Sequence, residues 1–227
     1  MHSKRIQEKV KEDYDAMAVG FSKSRVFPWK DFELFIPYYR KNFRVLDLGC
    51  GNGRLLTFLD KQGYESYLGL DQSQELLKLA FKEHPGNRFV FEDMTEKLPA
   101  EKFDALFAIA SFHHVPPSRQ FKTLRLWREH LAEGGFLFMT NWNLHQPRYW
   151  PLWLRSLIFP TYGVKGLLVP WQNQIRRYYF AFSKRRLEKL LKRAGFKVIF
   201  NGYVRDGERA TLFSGKNILT IARYEAV

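Results

Sequence analysis

"VLDLGCGNGRLL", residues 45–56, runs from an apolar strand through Asp47 into three glycines at alternate positions, Gly49, Gly51 and Gly53, and then into a helix. Glycine lets a chain turn tightly from strand to helix and lets a ligand approach bare backbone, so a small ligand is expected at this turn. The spacing is G-x-G-x-G rather than the G-x-G-x-x-G of dinucleotide-binding turns, and no lysine-bearing phosphate loop is present. A carboxylate ahead of the turn suits a cationic ligand better than a pyrophosphate.

Outward from the turn, β-rich runs alternate with helix-length segments. Strands are expected at 43–49, 66–71, 88–93, 103–110 and 134–142, with helices beginning near Gly53, Ser73 and Ser118. The alternation predicts an α/β fold, a mostly parallel sheet covered by helices on both faces. The third helix sets Phe121, Leu124, Trp127, His130 and Leu131 on one face and meets the paired glycines 134 and 135 as its stop. Residues 3–19 and 29–40 read as two helices joined by "GFSKSRVFP", a cap of residues 1–40 ahead of the sheet. Residues 143–180 are rich in aromatics and prolines and too long for a connector, which predicts a lid or substrate-binding insertion after the fifth strand. A helix at 183–194, opened by Ser183 and ended by Gly195, and strands at 196–200 and 217–225 complete a single expected domain over 1–227.

Two further acids fall where strands end. Asp71 closes the second strand, where a carboxylate can accept hydrogen bonds from ribose hydroxyls, and Asp93 closes the third, near the place for an adenine amino group. With Asp47 they converge on the carboxyl edge of the sheet, where open α/β folds bind ligands. The set favours a nucleoside carrying positive charge.

Composition bounds the partners. The chain of 227 residues has 45% hydrophobic residues and a net charge of +14, which excludes a disordered chain and draws anionic partners. "QIRRYYFAFSKRRLEKLLKRAG", residues 174–195, holds eight basic residues against one acidic. The lone Cys50 cannot form an internal disulfide and has no neighbours at zinc-ligand spacing, so no metal site is expected. The charged amino end and the interrupted apolar tract around 149–171 predict neither a signal peptide nor a membrane span, and the chain reads as cytoplasmic.

On the glycine turn and the strand-end acids, the chain resembles the class I S-adenosylmethionine-dependent methyltransferases over about residues 40–227. That resemblance implies a seven-stranded Rossmann-like sheet with a reversed last hairpin and S-adenosylmethionine at Gly49, Gly51 and Gly53. Asp71 with Gln72 would hold the ribose, Asp93 with Met94 the adenine, and the backbone near Ala110 and Ser111 would face the methionine moiety. Tyr14 would close over the cofactor. "YDAMAVGFSKSRVFPW" (14–29), "SFHHVPPSRQ" (111–120), "FMTNWN" (138–143) and "RRYYFAF" (176–182) further resemble the Trm9 family, which includes the methyltransferase domain of ALKBH8. Those enzymes methylate the carboxylate of 5-carboxymethyluridine at the tRNA wobble position, and the family implies a small zinc-binding Trm112-like activator as partner. An acceptor carboxylate is already ionised at neutral pH, so the enzyme must hold it in line with the methyl group rather than deprotonate it. Arg25, Arg176 and Arg177 are the candidate guanidiniums, with Arg25 open between substrate, cofactor carboxylate and a structural ion pair. His113, Trp142 and Tyr178 would shape a uridine pocket, one of His113 and His114 serving a loop backbone instead. The competing expectation is a quinone-like or lipid-like acceptor, with Trp150, Trp153 and Leu154 beside Arg148 and Arg155 docking on an anionic membrane surface.

Overall fold

The computed structural model describes residues 2–24, 27–163, 165–171 and 175–225. Helix α1 (His2–Lys23) and a 3-10 helix (Lys30–Tyr38) precede β1 (Arg44–Leu48). Then come α2 (Arg54–Gln62), β2 (Ser66–Asp71), α3 (Gln74–Glu83), β3 (Arg88–Phe91), β4 (Phe103–Ile109), α4 (Pro117–Glu129) and β5 (Leu131–Trp142). The insertion holds α5 (Trp150–Ile158) and the hairpin β6 (Gly166–Trp171) and β7 (Ile175–Phe180), and the chain returns through α6 (Lys184–Arg193), β8 (Phe196–Arg205), β9 (Glu208–Arg209) and β10 (Asn217–Tyr224).

The sheet order is β3-β2-β1-β4-β5-β10-β8-β9. β1 to β5 are parallel, and β10 runs antiparallel to both β5 and β8, the reversed hairpin. β9 adds only two residues at the edge, so seven strands carry the sheet as expected. Alternation along the central strands feeds two cores. Leu46, Leu106 and Leu137 face α4 and α6 with Trp127, Leu187 and Leu191, while Ala105, Phe107 and Phe138 face the 3-10 helix and α2 with Phe35 and Leu56. Burial on both faces is why the strands read as unbroken apolar runs.

Several boundaries differ from the expectation. α1 continues through Gly20 to Lys23, and the second N-terminal helix is 3-10, with Pro37 inside it. α4 stops at Glu129, because the His130 carbonyl accepts from Phe103 N (2.9 Å) and so already belongs to the sheet. Leu131 and both glycines therefore lie in β5, where Gly134 (φ +76°) sits at a bulge between the Phe103–Leu131 and Ala105–Phe136 pairs. The insertion is an ordered helix and two-stranded sheet with its own apolar cluster around Leu144, Tyr149, Leu167 and Tyr179. Among the described residues, no helix is long and apolar enough to cross a membrane.

Phe138 stacks on Phe107 (4.7 Å between centroids) and packs against Phe35 (5.1 Å) at the middle of the sheet. Phe138→Ala is expected to lower unfolding stability by about 3–5 kcal/mol. Urea denaturation checks this, with the midpoint shifting and the m-value unchanged.

Candidate active site

The turn after β1 is fixed by its glycines. Gly49 (φ +77°), Gly51 (φ +58°) and Gly53 (φ +81°) adopt left-handed backbone. Gly49 N and Cys50 N both donate to the Leu70 carbonyl (2.7 and 2.9 Å), which folds the turn over the end of β2. A Cβ at Gly49 would stand 2.7 Å from the Ser111 Cβ, so the turns after β1 and β4 touch only because that position is bare. Gly53 differs from the other two: it does not line the cleft, and a Cβ there would meet the His84 ring at 2.8 Å. Its role is packing against the end of α3.

The cleft holds about 1070 Å³, counting its open mouth. Asp71 and Gln72 line its floor, and the Asp71 carboxylate accepts from Gly51 N and Ser73 N, both at 2.8 Å. Each oxygen keeps a further lone pair. Burial raises its pKa to about 6 against the opposing pull of those backbone donors. Asp93 and Met94 line the next stretch, with Asp93 receiving Gln7 Nε2 (2.8 Å) and Thr95 N (2.8 Å). On the opposite wall Ala110 takes φ +54°, rare for a residue with a Cβ, and its N–H is shared between the carbonyl and hydroxyl of Thr140, both at 3.0 Å. Asp47 is 2% exposed; Tyr67 Oη donates to one carboxylate oxygen (3.0 Å), and the other has no hydrogen-bond partner among the described residues. Burial, reinforced by the Asp71 charge and eased by the Tyr67 hydrogen bond and by Arg54, lifts its pKa to about 7. A buried, half-satisfied carboxylate on the cleft wall fits a cationic group on the ligand.

α1 crosses the carboxyl edge and roofs the cleft with Val10, Tyr14 and Phe21. Tyr14 Oη lies 2.9 Å from His114 Nε2, while His114 Nδ1 lies 2.7 Å from the Tyr178 carbonyl. A carbonyl can only accept, so Nδ1 carries the proton and Nε2 accepts from Tyr14. Burial holds the His114 pKa near 3 and the ring is neutral. His113 is the opposite tautomer: its Nδ1 accepts from Trp142 N (3.2 Å), leaving the proton on Nε2. His113 is 1% exposed, stacks on Tyr179 (4.6 Å) and lies behind the lining, with burial and the adjacent His114 holding its pKa well below the usual value. His114, not His113, faces the cleft.

β7 applies the same sorting. Arg177 and Tyr179 point into the cleft, whereas Arg176 is exposed and Tyr178 is buried in the main core. Strand alternation separates each pair, and it was available in "IRRYYF" once that run is read as a strand. Arg177 is 2% exposed, with no carboxylate at ion-pair distance among the described residues. Its guanidinium lies over Trp171 (4.7 Å), Tyr179 (5.2 Å) and Trp142 (5.3 Å). Burial opposes its charge, but Tyr179 and Tyr14 outweigh that and keep its pKa raised. Trp142 stacks on Tyr179 (5.2 Å) and lines the cleft as expected. Arg25 lies outside the described residues. Sequence reading did not single out Gln7 and Phe21, which share the Tyr14 face of α1 at helical spacing, or Trp29, whose ring lies 4.3 Å from the Arg54 guanidinium.

A Rossmann-like sheet with a glycine cradle and a buried acid at each of its first two strand ends defines a nucleoside-binding transferase class. The chain belongs to the Methyltransferase domain family, whose model matches residues 21–200. It is similar to the tRNA (carboxymethyluridine(34)-5-O)-methyltransferase of Schizosaccharomyces pombe, 26% identical over 88% of this chain and 93% of that protein. It is 30% identical to the Xenopus tropicalis tRNA (carboxymethyluridine(34)-5-O)-methyltransferase alkbh8 over 62% of this chain, but spans only 22% of that protein. A trans-aconitate 2-methyltransferase of Rhizobium rhizogenes is 35% identical over 43% of this chain and 38% of its own length. Among solved structures, a SAM-dependent methyltransferase of Methanosarcina mazei superposes with TM-score 0.71 at 20% identity, covering 86% of this chain and 98% of that one. A chain from the Haloferax volcanii complex between the Trm112 methyltransferase activator and a methyltransferase does so at 0.70 and 18% identity, covering 96% and 98%. The protein is a SAM-dependent methyltransferase, and the residues of the cleft fit its cofactor: a bare backbone cradle, acceptor oxygens on Asp71 and a buried Asp47 carboxylate with one oxygen unpartnered among the described residues.

Two predictions follow from this geometry. Gly49→Ala forces a Cβ against Ser111 in left-handed backbone, and isothermal titration should show S-adenosylmethionine affinity at least about tenfold weaker. Asp47 is raised in the folded state, so its contribution to stability is present below the unfolded carboxylate pKa near 4 and is lost as pH rises through about 7. A cationic ligand favours the ionised form, so affinity for S-adenosylmethionine should rise as pH climbs from about 6 to 8. S-adenosylhomocysteine carries the same ammonium group and should respond alike, and Asp47→Asn should flatten the pH response of both.

Proposed function

We propose that the enzyme transfers methyl to the carboxylate of 5-carboxymethyluridine, or a closely related modified uridine, at the tRNA wobble position. The observation that carries this reading is Arg177. A guanidinium buried against three aromatic rings, with no carboxylate at ion-pair distance among the described residues, costs several kcal/mol of desolvation, and cation-π contacts offset part of that cost while leaving its Nε–H without a hydrogen-bond acceptor among those residues. An arriving carboxylate would supply two parallel charge-assisted hydrogen bonds and neutralise the charge. Both acceptors named among the similar curated proteins, a carboxymethyl group and aconitate, carry such carboxylates.

The cofactor supplies an electrophilic methyl group on a sulfonium. In this reading Asp71 and Gln72 hold its ribose, Asp93 its adenine and Asp47 its ammonium group, with Tyr14 as roof. Arg177 orients the acceptor carboxylate, while Trp142 and Tyr179 flank the uracil ring. No general base is needed, because the nucleophile is already an anion at neutral pH and His114 is too acidic as an imidazolium to change state there. His114 instead positions Tyr14, and His113 positions Tyr179. Residues 143–180 serve as the acceptor-binding insertion of one domain. A Trm112-like activator belongs to the proposal as a partner, on the fold shared with a chain of the Haloferax complex. A reducing cytoplasm suits the buried free Cys50.

The small-molecule alternative draws on the trans-aconitate relatives, and so becomes a polycarboxylate acceptor seated on the same arginine. For the lipid-docking version, α5 exposes Trp150, Leu154 and Leu157, whereas Trp153 turns inward and donates to the Leu144 carbonyl (2.7 Å).

The decisive experiment supplies purified protein with labelled S-adenosylmethionine and tRNA bearing free carboxymethyl at the wobble uridine, followed by nucleoside mass analysis. The methyl ester is expected. Its absence with and without a Trm112-type activator, or methylation of trans-aconitate alone, overturns the reading. Arg177→Ala should reduce kcat/KM on the RNA by about a hundredfold or more while cofactor affinity changes little. Arg177→Lys should recover only part of the loss, because the ammonium lacks the planar fork.

A further inference from the structure

A second cavity of about 910 Å³, counting its open side, continues from the cleft along the carboxyl edge of the sheet. Trp29 and Trp142 line both cavities, so the two share a wall. The outer groove adds Trp171, Lys30, Arg148 and Lys216. All three indoles are half-buried, which leaves ring surface to meet a ligand.

The groove's two carboxylates are already engaged. Asp31 is 2% exposed and accepts from Gly207 N (2.8 Å) and Asn217 Nδ2 (2.7 Å), a structural tie between the 3-10 helix and the start of β10. Asp206 pairs with Lys216 through both oxygens, at 2.7 and 2.9 Å. Lys30 has no ion-pair partner among the described residues, and Arg148 lies against the Tyr149 ring (4.7 Å) with no carboxylate at ion-pair distance. The groove therefore offers aromatic surface beside two cations with no carboxylate at ion-pair distance among the described residues, next to the site where the acceptor enters.

Planar surface calls for a base, and the cations call for a phosphate. We propose that this groove binds a nucleotide adjoining the acceptor in a single-stranded RNA segment, its base against the tryptophan rings and its phosphate on Lys30 and Arg148. This rests on the RNA reading of the acceptor above. It explains how a pocket sized for one nucleoside would select a residue held within a loop: the outer groove engages the neighbour only when it is covalently linked to the acceptor.

The test measures binding without methyl transfer. A labelled five-nucleotide single-stranded RNA centred on uridine is titrated by fluorescence anisotropy into the full chain saturated with S-adenosylhomocysteine. The double variant Lys30→Glu/Arg148→Glu should bind at least about tenfold more weakly, and with a shallower salt dependence. Lys61→Glu, on an exposed position of α2, serves as the control for a general loss of positive field and should change binding little. Removing the base next to the central uridine, to leave an abasic nucleotide, should cost about tenfold in the wild type. Cofactor affinity should be unchanged in every variant, which also reports folding. Equal losses in the groove and control variants, or indifference to the abasic position, overturn the inference. If wobble tRNA is methylated equally by the groove variants and the wild type, the groove inference fails and the acceptor reading stands. If tRNA is never methylated but groove-dependent RNA binding persists, the acceptor reading fails alone.

Discussion

The carboxylate of Asp71 joins two turns that have no covalent connection near the site. One oxygen takes the Gly51 N–H and the other takes the Ser73 N–H, each at 2.8 Å, so the first glycine loop and the start of α3 are held to one anchor at the end of β2. The anchor is buried, where a carboxylate is costly unless donors surround it, and backbone N–H groups are donors that side-chain motion cannot withdraw. The floor of the cleft is thereby fixed before any ligand arrives. Gly49 can then lie against Ser111, and α1 can close over the top through Asp15, whose carboxylate receives the Ser73 hydroxyl at 2.7 Å.

At the other end of the cleft the electrostatics change sign. Asp47, Asp71 and Asp93 make one part of the lining acidic, with Arg54 beside them, whereas Arg177 sets a positive charge in an aromatic box of the same cavity. His114 on the cleft wall and His113 behind it are neutral and opposite tautomers, each fixed by a backbone group. Such a site suits a cation at one end and an anion at the other, and its histidines stay neutral near neutral pH. Methyl transfer from a sulfonium to a carboxylate is a reaction that asks for this and little more, because the two charges cancel as the bond forms.

Much of the fold was legible because local patterns and tertiary demands coincide. A strand buried on both faces is largely apolar, as β1 and β4 are apart from Asp47 and, near the strand starts, Arg44 and Asp104, and a sheet-covering helix announces itself by Ser183 at its start, Leu187 and Leu191 on its inner face and Gly195 past its end. The errors fell where that agreement lapses. The paired glycines after α4 looked like a helix stop, yet the sheet claims the chain already at His130 and uses Gly134 for a bulge. The insertion gave no period because its short strands pack on one small cluster and its helix leaves an apolar face exposed, so burial follows neither a 3.6 nor a 2 repeat for long.

For the site, residue types sufficed to mark the glycine-and-acid end of the cleft. Glycines at bare-backbone positions and acids at strand ends are required by local geometry, and Asp47, Gly49, Gly51, Asp71 and Asp93 all line the cleft. Neighbours in sequence could not be told apart at the end that holds Arg177. His113 and His114 diverge because a 3-10 turn sends adjacent side chains in different directions, and Arg176 and Arg177 diverge because a strand does. Gly53 resembles its two companions in the sequence and serves packing against His84 instead. The sequence determined the class of fold and the glycine-lined end of the cleft, since both depend on backbone conformation encoded within a few residues. Only the tertiary structure decided which arginine is buried without a counter-charge and which tryptophans border it, because Trp29, Trp142, Trp171 and Arg177 come from separate elements that meet only when the sheet, the hairpin and the N-terminal segment have packed together.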